Sequence, residues 1–158
     1  MIIRGIAAGL VATLALSAIM LIKSKMGVMP EFNVINDWVQ GAAAVGLVIV
    51  PVIAWVLHFA LGAVWGALYT MVHRRLPGGY VASAVTVSML AWLGMMIGFM
   101  PVAGNGLFAL GISPMVAAAS LMLHIVFAVV LGLVYRSLDK RNAPMSDASP
   151  TDISLALQ

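Results

Sequence analysis

The sequence predicts an all-α, polytopic membrane protein. Four transmembrane helices form a tandem repeat of two helical hairpins, with a pseudo-two-fold axis along the membrane normal. Composition is the first observation behind this: of 158 residues, 63% are hydrophobic and 8% charged, whereas a soluble domain carries about a quarter charged residues. The second is an uncharged run, since no Asp, Glu, Lys or Arg stands between Leu76 and Tyr135. About 20 apolar residues suffice to cross a bilayer core, so this run crosses twice and turns in between. The third is an internal repeat, taken up after the spans.

The first span, about residues 4–26, begins at Arg4 and carries Lys23 and Lys25 at its far end. A signal peptide would place its small-x-small site after the apolar stretch, but Ala15 and Ser17 lie inside it. The second span, about 50–72, opens with Pro51, which suits a first helical turn, and runs into His73, Arg74 and Arg75. The third, about 79–100, follows the breaker Pro77-Gly78-Gly79 and stops at Pro101. The fourth, about 114–136, has Ser113 as N-cap and Pro114 just inside it. Between the first two spans, Glu31, Asp37 and Trp38 predict an interfacial segment with a short helix. The uncharged, glycine-rich stretch from Pro101 to Ile112 is expected at the same depth. Residues 1–141 then form one transmembrane domain. Residues 142–158, rich in Pro, Ser, Asp and Thr, are expected to be a disordered tail.

Lysine and arginine in short loops set the orientation. Arg4, Arg74, Arg75, Arg136, Lys140 and Arg141 gather at one end and only Lys23 and Lys25 at the other. Both termini are therefore expected in the cytoplasm. The formal charge of +3 is explained by this placement and is no argument for nucleic acid.

The repeat has two parts. Arg4, Ser17, Gly27, Met29 and Pro30 recur at the same spacing as Arg75, Ser88, Gly98, Met100 and Pro101. His58, Gly66, Tyr69, Arg74 and Arg75 recur as His124, Gly132, Tyr135, Lys140 and Arg141. The chain has three histidines and three tyrosines, and two of each fall into this register. Two helices per copy give both copies the same membrane orientation, hence an axis along the normal. His58 and His124 are then equivalents at one depth, facing each other if their helices line the axis. By the same analogy the first helix reaches about Met29, and Lys23 and Lys25 snorkel to the headgroups.

The membrane histidines are the sharpest chemical feature. His58, Gly62, Gly66 and Tyr69 share one helical face, as do His124, Ala128, Gly132 and Tyr135. A small residue one turn from each imidazole leaves space beside it. Packing accounts for this pattern if small-xxx-small faces approach closely and each histidine makes an interhelical hydrogen bond. The cofactor alternative is a pair of axial ligands to haem b, and a titratable constriction in a proton or solute conduit is the other. Thr13, Ser17, Thr86 and Ser88 fit either a conduit wall or bonding to their own backbone. Met26 and Met29, with Met95, Met96 and Met100, suit gap-filling in apolar packing more than a Cu(I) site. Gly5 with Gly9 and Gly94 with Gly98 are GxxxG pairs expected at close helix contacts, within the bundle or between subunits. There is no cysteine, and no phosphate loop, nucleophile elbow, carboxylate pair or zinc spacing, so an enzyme is not expected.

Three features carry a family resemblance: the opening Arg4-Gly5, Gly9 and Thr13, the Met26-Gly27-x-Met29-Pro30 stretch, and the histidine–glycine–tyrosine repeat. Over Met1 to Arg141 they resemble a family of small bacterial membrane proteins classed as a domain of unknown function. More distantly they are similar to YagU-type inner-membrane proteins. The resemblance implies a bacterial inner-membrane location and a loose association with acid stress, with no activity or site residue to carry over. The role expected from the sequence is a structural or accessory membrane component in contact with the lipid bilayer, as a homo-oligomer or within a larger complex.

Overall fold

The computed structural model describes residues 1–28 and 33–140. Glu31, Met29 and Pro30 lie outside them, as does the expected tail from 142 onward. Five helices account for most of the described chain: α1 (Ile2–Lys25), α2 (Val34–Ala44), α3 (Pro51–Val72), α4 (Gly79–Val102) and α5 (Pro114–Lys140). All but α2 are long and apolar enough to cross a membrane.

The helix ends follow local chemistry. α1 stops at Lys25 rather than continuing to about Met29. Gly27, at φ +66°, donates its N–H to Ser24 O while Val28 N–H reaches Lys23 O, the glycine-terminated cap that satisfies a helix's last carbonyls. α2 starts where Asn33 Oδ1 accepts from the N–H groups of Ile35 and Asn36. α4 widens into a π-helical turn over Met95–Phe99 and then continues to Val102, two residues past the expected end. Pro101 explains the widening: it has no N–H, and its ring crowds the carbonyl four residues back. α5 runs four residues past its expected end, and Asp139 in the added turn pairs with Arg4 at 3.0 Å.

Much of the interior is small or hydroxylated, although Met96, Met100 and Leu131 are fully buried, and many large apolar side chains point outward. Ala8, Ala12, Thr13, Ser83, Ser88 and Ser120 are almost completely buried. Val52, Val56, Leu14, Met122 and Leu133 stand exposed. That inversion suits a hydrocarbon surround, where association relies on close backbone approach rather than on hiding leucines from water. The hydroxyls bond mostly to their own helices: Thr13 to Gly9 O at 2.8 Å, Ser17 to Thr13 O at 2.8 Å and Thr70 to Gly66 O at 3.1 Å.

α1 packs along α3, α4 along α5, and α1 also along α5. The closest approach is the α1–α3 crossing. A Cβ added to Gly9 would stand 3.1 Å from Gly66 Cα, and one added to Gly66 would stand 2.9 Å from Gly9 Cα. Gly5 and Gly62 complete that contact, against Gly66 and Thr13. On α5, a Cβ at Gly132 would meet Val81 Cα at 2.8 Å. α3 and α4 touch only sparsely, so the bundle is open along that side.

Candidate functional site

Beside the sparse contact of α3 and α4 lies a largely apolar cavity of about 270 Å³, lined by residues of both. Thr13 and Leu16 of α1, His58 and Trp65 of α3, Gly94 and Phe99 of α4, and His124 and Phe127 of α5 line it. Val34 and Trp38 of α2 close one end, with the Trp38 ring 4.9 Å from that of Phe99. The cavity wall thus contains the π-helical turn of α4, a local widening that often marks a functional position.

Both sequence-predicted histidines face this space, and they are held differently. The His124 ring bonds to the Ser120 carbonyl through Nδ1 at 2.8 Å. Two bonds from α4 brace that stretch of α5: Ser88 Oγ donates to His124 O at 2.7 Å, and Trp92 Nε1 donates to Ser120 Oγ at 3.1 Å. His58 makes ring-edge contacts with its own-helix neighbours Trp55 and Phe59. Its Nε2 is buried with no hydrogen-bond partner. Among the described residues neither imidazole makes the interhelical hydrogen bond expected of it: His124 bonds within α5, and the cross-helix bond uses its backbone carbonyl.

The remaining singled-out residues divide clearly. Gly62, Gly66, Tyr69, Ala128, Gly132 and Tyr135 are buried at helix contacts. Gly94 and Gly98 do not make the close contact expected of them within the bundle: both are exposed, and no atom lies within 4 Å of where their Cβ would be. Gly94 forms cavity wall instead.

The structure also assembles a cluster that sequence reasoning missed, at the arginine-rich end. All three tyrosines meet there around His73. The His73 ring stacks on Tyr69 at 5.2 Å and on Tyr80 at 5.7 Å, and meets Tyr135 edge-on at 4.9 Å. Tyr69 OH donates to Tyr80 O at 2.8 Å, and Tyr80 OH donates to Asp139 at 2.9 Å. Burial, with Arg74 beside it, lowers the His73 pKa below 6.5, and Asp139 opposes that shift. The fact that the chain has only three tyrosines was a usable signal, but only two of them fell into the repeat. At the other end Asn105 Nδ2 donates to Asp37 Oδ1 at 3.1 Å, tying α2 to the loop after α4. Burial raises the Asp37 pKa above 3.8, against the opposing pull of Asn105 and Lys23.

Among the described residues no three His, Cys, Asp or Glu side chains gather to hold a metal ion. Fold and cavity together define the class: a four-span helical membrane protein with an intramembrane pocket flanked by two imidazoles. The chain belongs to DUF6789, a family of unknown function, whose family model matches residues 1–146. No curated protein and no solved structure matches it.

Proposed function

We propose that this chain is a non-catalytic accessory protein of the bacterial inner membrane, with its arginine-rich end in the cytoplasm. In this reading it holds a small, largely apolar ligand in the cleft between α3 and α4, with His58 and His124 as the polar contacts. The observation that carries the proposal is a largely apolar cavity lined by two imidazoles, one of which, His58, holds a buried and unpaired Nε2. An unpaired buried nitrogen costs about 1–3 kcal/mol, and a turn of the His58 ring toward the cavity lets a polar atom on a ligand offset that cost. The recurring sequence pattern supports a paired site. Its equivalents His58 and His124 line one cavity, and its equivalents Tyr69 and Tyr135 touch, ring to ring, at 5.2 Å. The lysine and arginine bias supports the orientation.

The test is to purify the protein in mild detergent and analyse its organic extract by mass spectrometry. Gly94→Leu fills the cleft from a position with open space around it. A bound compound should be lost in Gly94→Leu and in His58→Ala. Protein that retains nothing, even after incubation with a membrane lipid extract, refutes the proposal.

One observation favours a second occupant, haem b. A ring that donates Nδ1–H to a backbone carbonyl, as His124 does to Ser120, is oriented like a metal-bound histidine. Haem carboxylates call for cations, however, and no Lys or Arg lines the cavity, which places haem second. It predicts a Soret band that disappears in both His58→Ala and His124→Ala.

A further inference from the structure

We propose that the cleft selects a hydroxyl-bearing aromatic headgroup of the quinol class over its oxidised quinone form. This rests on the reading of the cleft as a ligand site and adds the chemistry of the ligand. The selecting group is His124. A backbone carbonyl only accepts hydrogen bonds, so the 2.8 Å contact with Ser120 O places the proton on Nδ1. In the neutral ring Nε2 is then an acceptor and cannot donate. Ser88 and Trp92 brace this turn of α5 from α4, so the tautomer is set by the scaffold. A partner for that nitrogen must bring a hydrogen-bond donor, an O–H or an N–H. A para-quinone presents two carbonyls and no donor, whereas its quinol presents two hydroxyls. His58 Nε2 is buried without a partner, so a turn of its ring toward the cavity would let it donate to a hydroxyl oxygen or accept from it, according to tautomer.

The walls fit the rest of such a molecule. Trp38, Trp65, Phe99 and Phe127 line the cavity and offer aromatic surface to a flat ring. α3 and α4 both line the cavity and barely touch, so a passage between these two spans would open toward hydrocarbon. A lipid-soluble ligand enters sideways there and leaves its tail among the lipids.

The test uses decylubiquinol and decylubiquinone, titrated separately against the purified protein with tryptophan fluorescence as the readout. One hydrogen bond made by the quinol alone should tighten its binding roughly fivefold to tenfold relative to the quinone. In His124→Ala, checked for helicity by circular dichroism, quinol affinity should fall to the level of the quinone. Equal affinities, a preference that survives His124→Ala, or no binding of either compound overturns the assignment. If neither probe binds but another compound co-purifies and is lost in Gly94→Leu, the quinol assignment fails and the ligand cleft stands. If Gly94→Leu alters retention of no compound, both fail.

Discussion

Two glycine-to-alanine changes should have opposite signs. At Gly66 an added Cβ collides with the carbonyl of Gly5 and stands 2.9 Å from both Gly5 C and Gly9 Cα. Carbon atoms pack best at about 3.5–4.0 Å, so the helices must part by at least roughly 0.6 Å. The obstacles are backbone atoms, which cannot rotate away as a side-chain tip can. Overpacking of this kind costs about 1–3 kcal/mol, and the upper end applies. Alanine's higher helix propensity returns about 1 kcal/mol, leaving Gly66→Ala destabilised by about 2 kcal/mol. At Gly94 no atom lies within 4 Å, so only the propensity gain operates and Gly94→Ala should be stabilised by up to about 1 kcal/mol. Unfolding by SDS titration in mixed micelles, followed by circular dichroism, measures the difference. Equal effects at the two sites, or a larger loss at Gly94, would refute the assignment of the tight crossing to α1 and α3.

Two pH effects follow from the buried groups outside the spans. The His73 pKa is lowered from 6.5, so the fold prefers the neutral ring. The stability it contributes is complete above pH 6.5 and is lost as pH falls through the folded pKa. His73→Phe keeps the ring contacts with Tyr69, Tyr80 and Tyr135, so it should lose less stability than wild type between pH 7.5 and 5 in the same titration; parallel losses would contradict this. The Asp37 pKa is raised from 3.8, so the opposite sign holds: docking of α2 strengthens as pH falls through the folded pKa, and the gain is complete below 3.8. Asp37→Asn should raise the hydrogen-exchange protection factors of Val34–Ala44 at pH 7 and remove their pH dependence, and lower protection at pH 7 would contradict this.

The spans were legible because hydropathy and proline–glycine punctuation act locally. Pro51, Gly78-Gly79 and Pro114 begin the helices where the sequence places them. Errors arose where one local signal was outranked by another. The comparison with the third span extends α1 toward Met29, but Gly27 at φ +66° closes it first. Gly5-x3-Gly9 and Gly94-x3-Gly98 are the same motif, yet only the first meets a neighbour. A motif states that a close approach is possible on that face, and whether another helix arrives depends on divergence further along the bundle.

The candidate site was half legible for a related reason. His58 and His124 stand out because polar side chains in apolar spans are costly and few. The cavity between them arises from tertiary spacing that no local pattern encodes. The His73 cluster shows a subtler limit. Counted from the tyrosines, His73 and Asp139 occupy matching positions, Tyr69-x3-His73 and Tyr135-x3-Asp139. A search for identical residues discards that position because its residues differ. The difference carries physical information: His73 packs against Tyr135 while Asp139 takes the hydroxyl of Tyr80 and the guanidinium of Arg4. Two aspartates there would repel across a partly buried gap, and two histidines would leave Arg4 without its carboxylate. Where residues at such matching sequence positions pack near each other, complementary side chains are stable and identical charges are not, so contacts of this kind are best sought where a sequence pattern fails to recur.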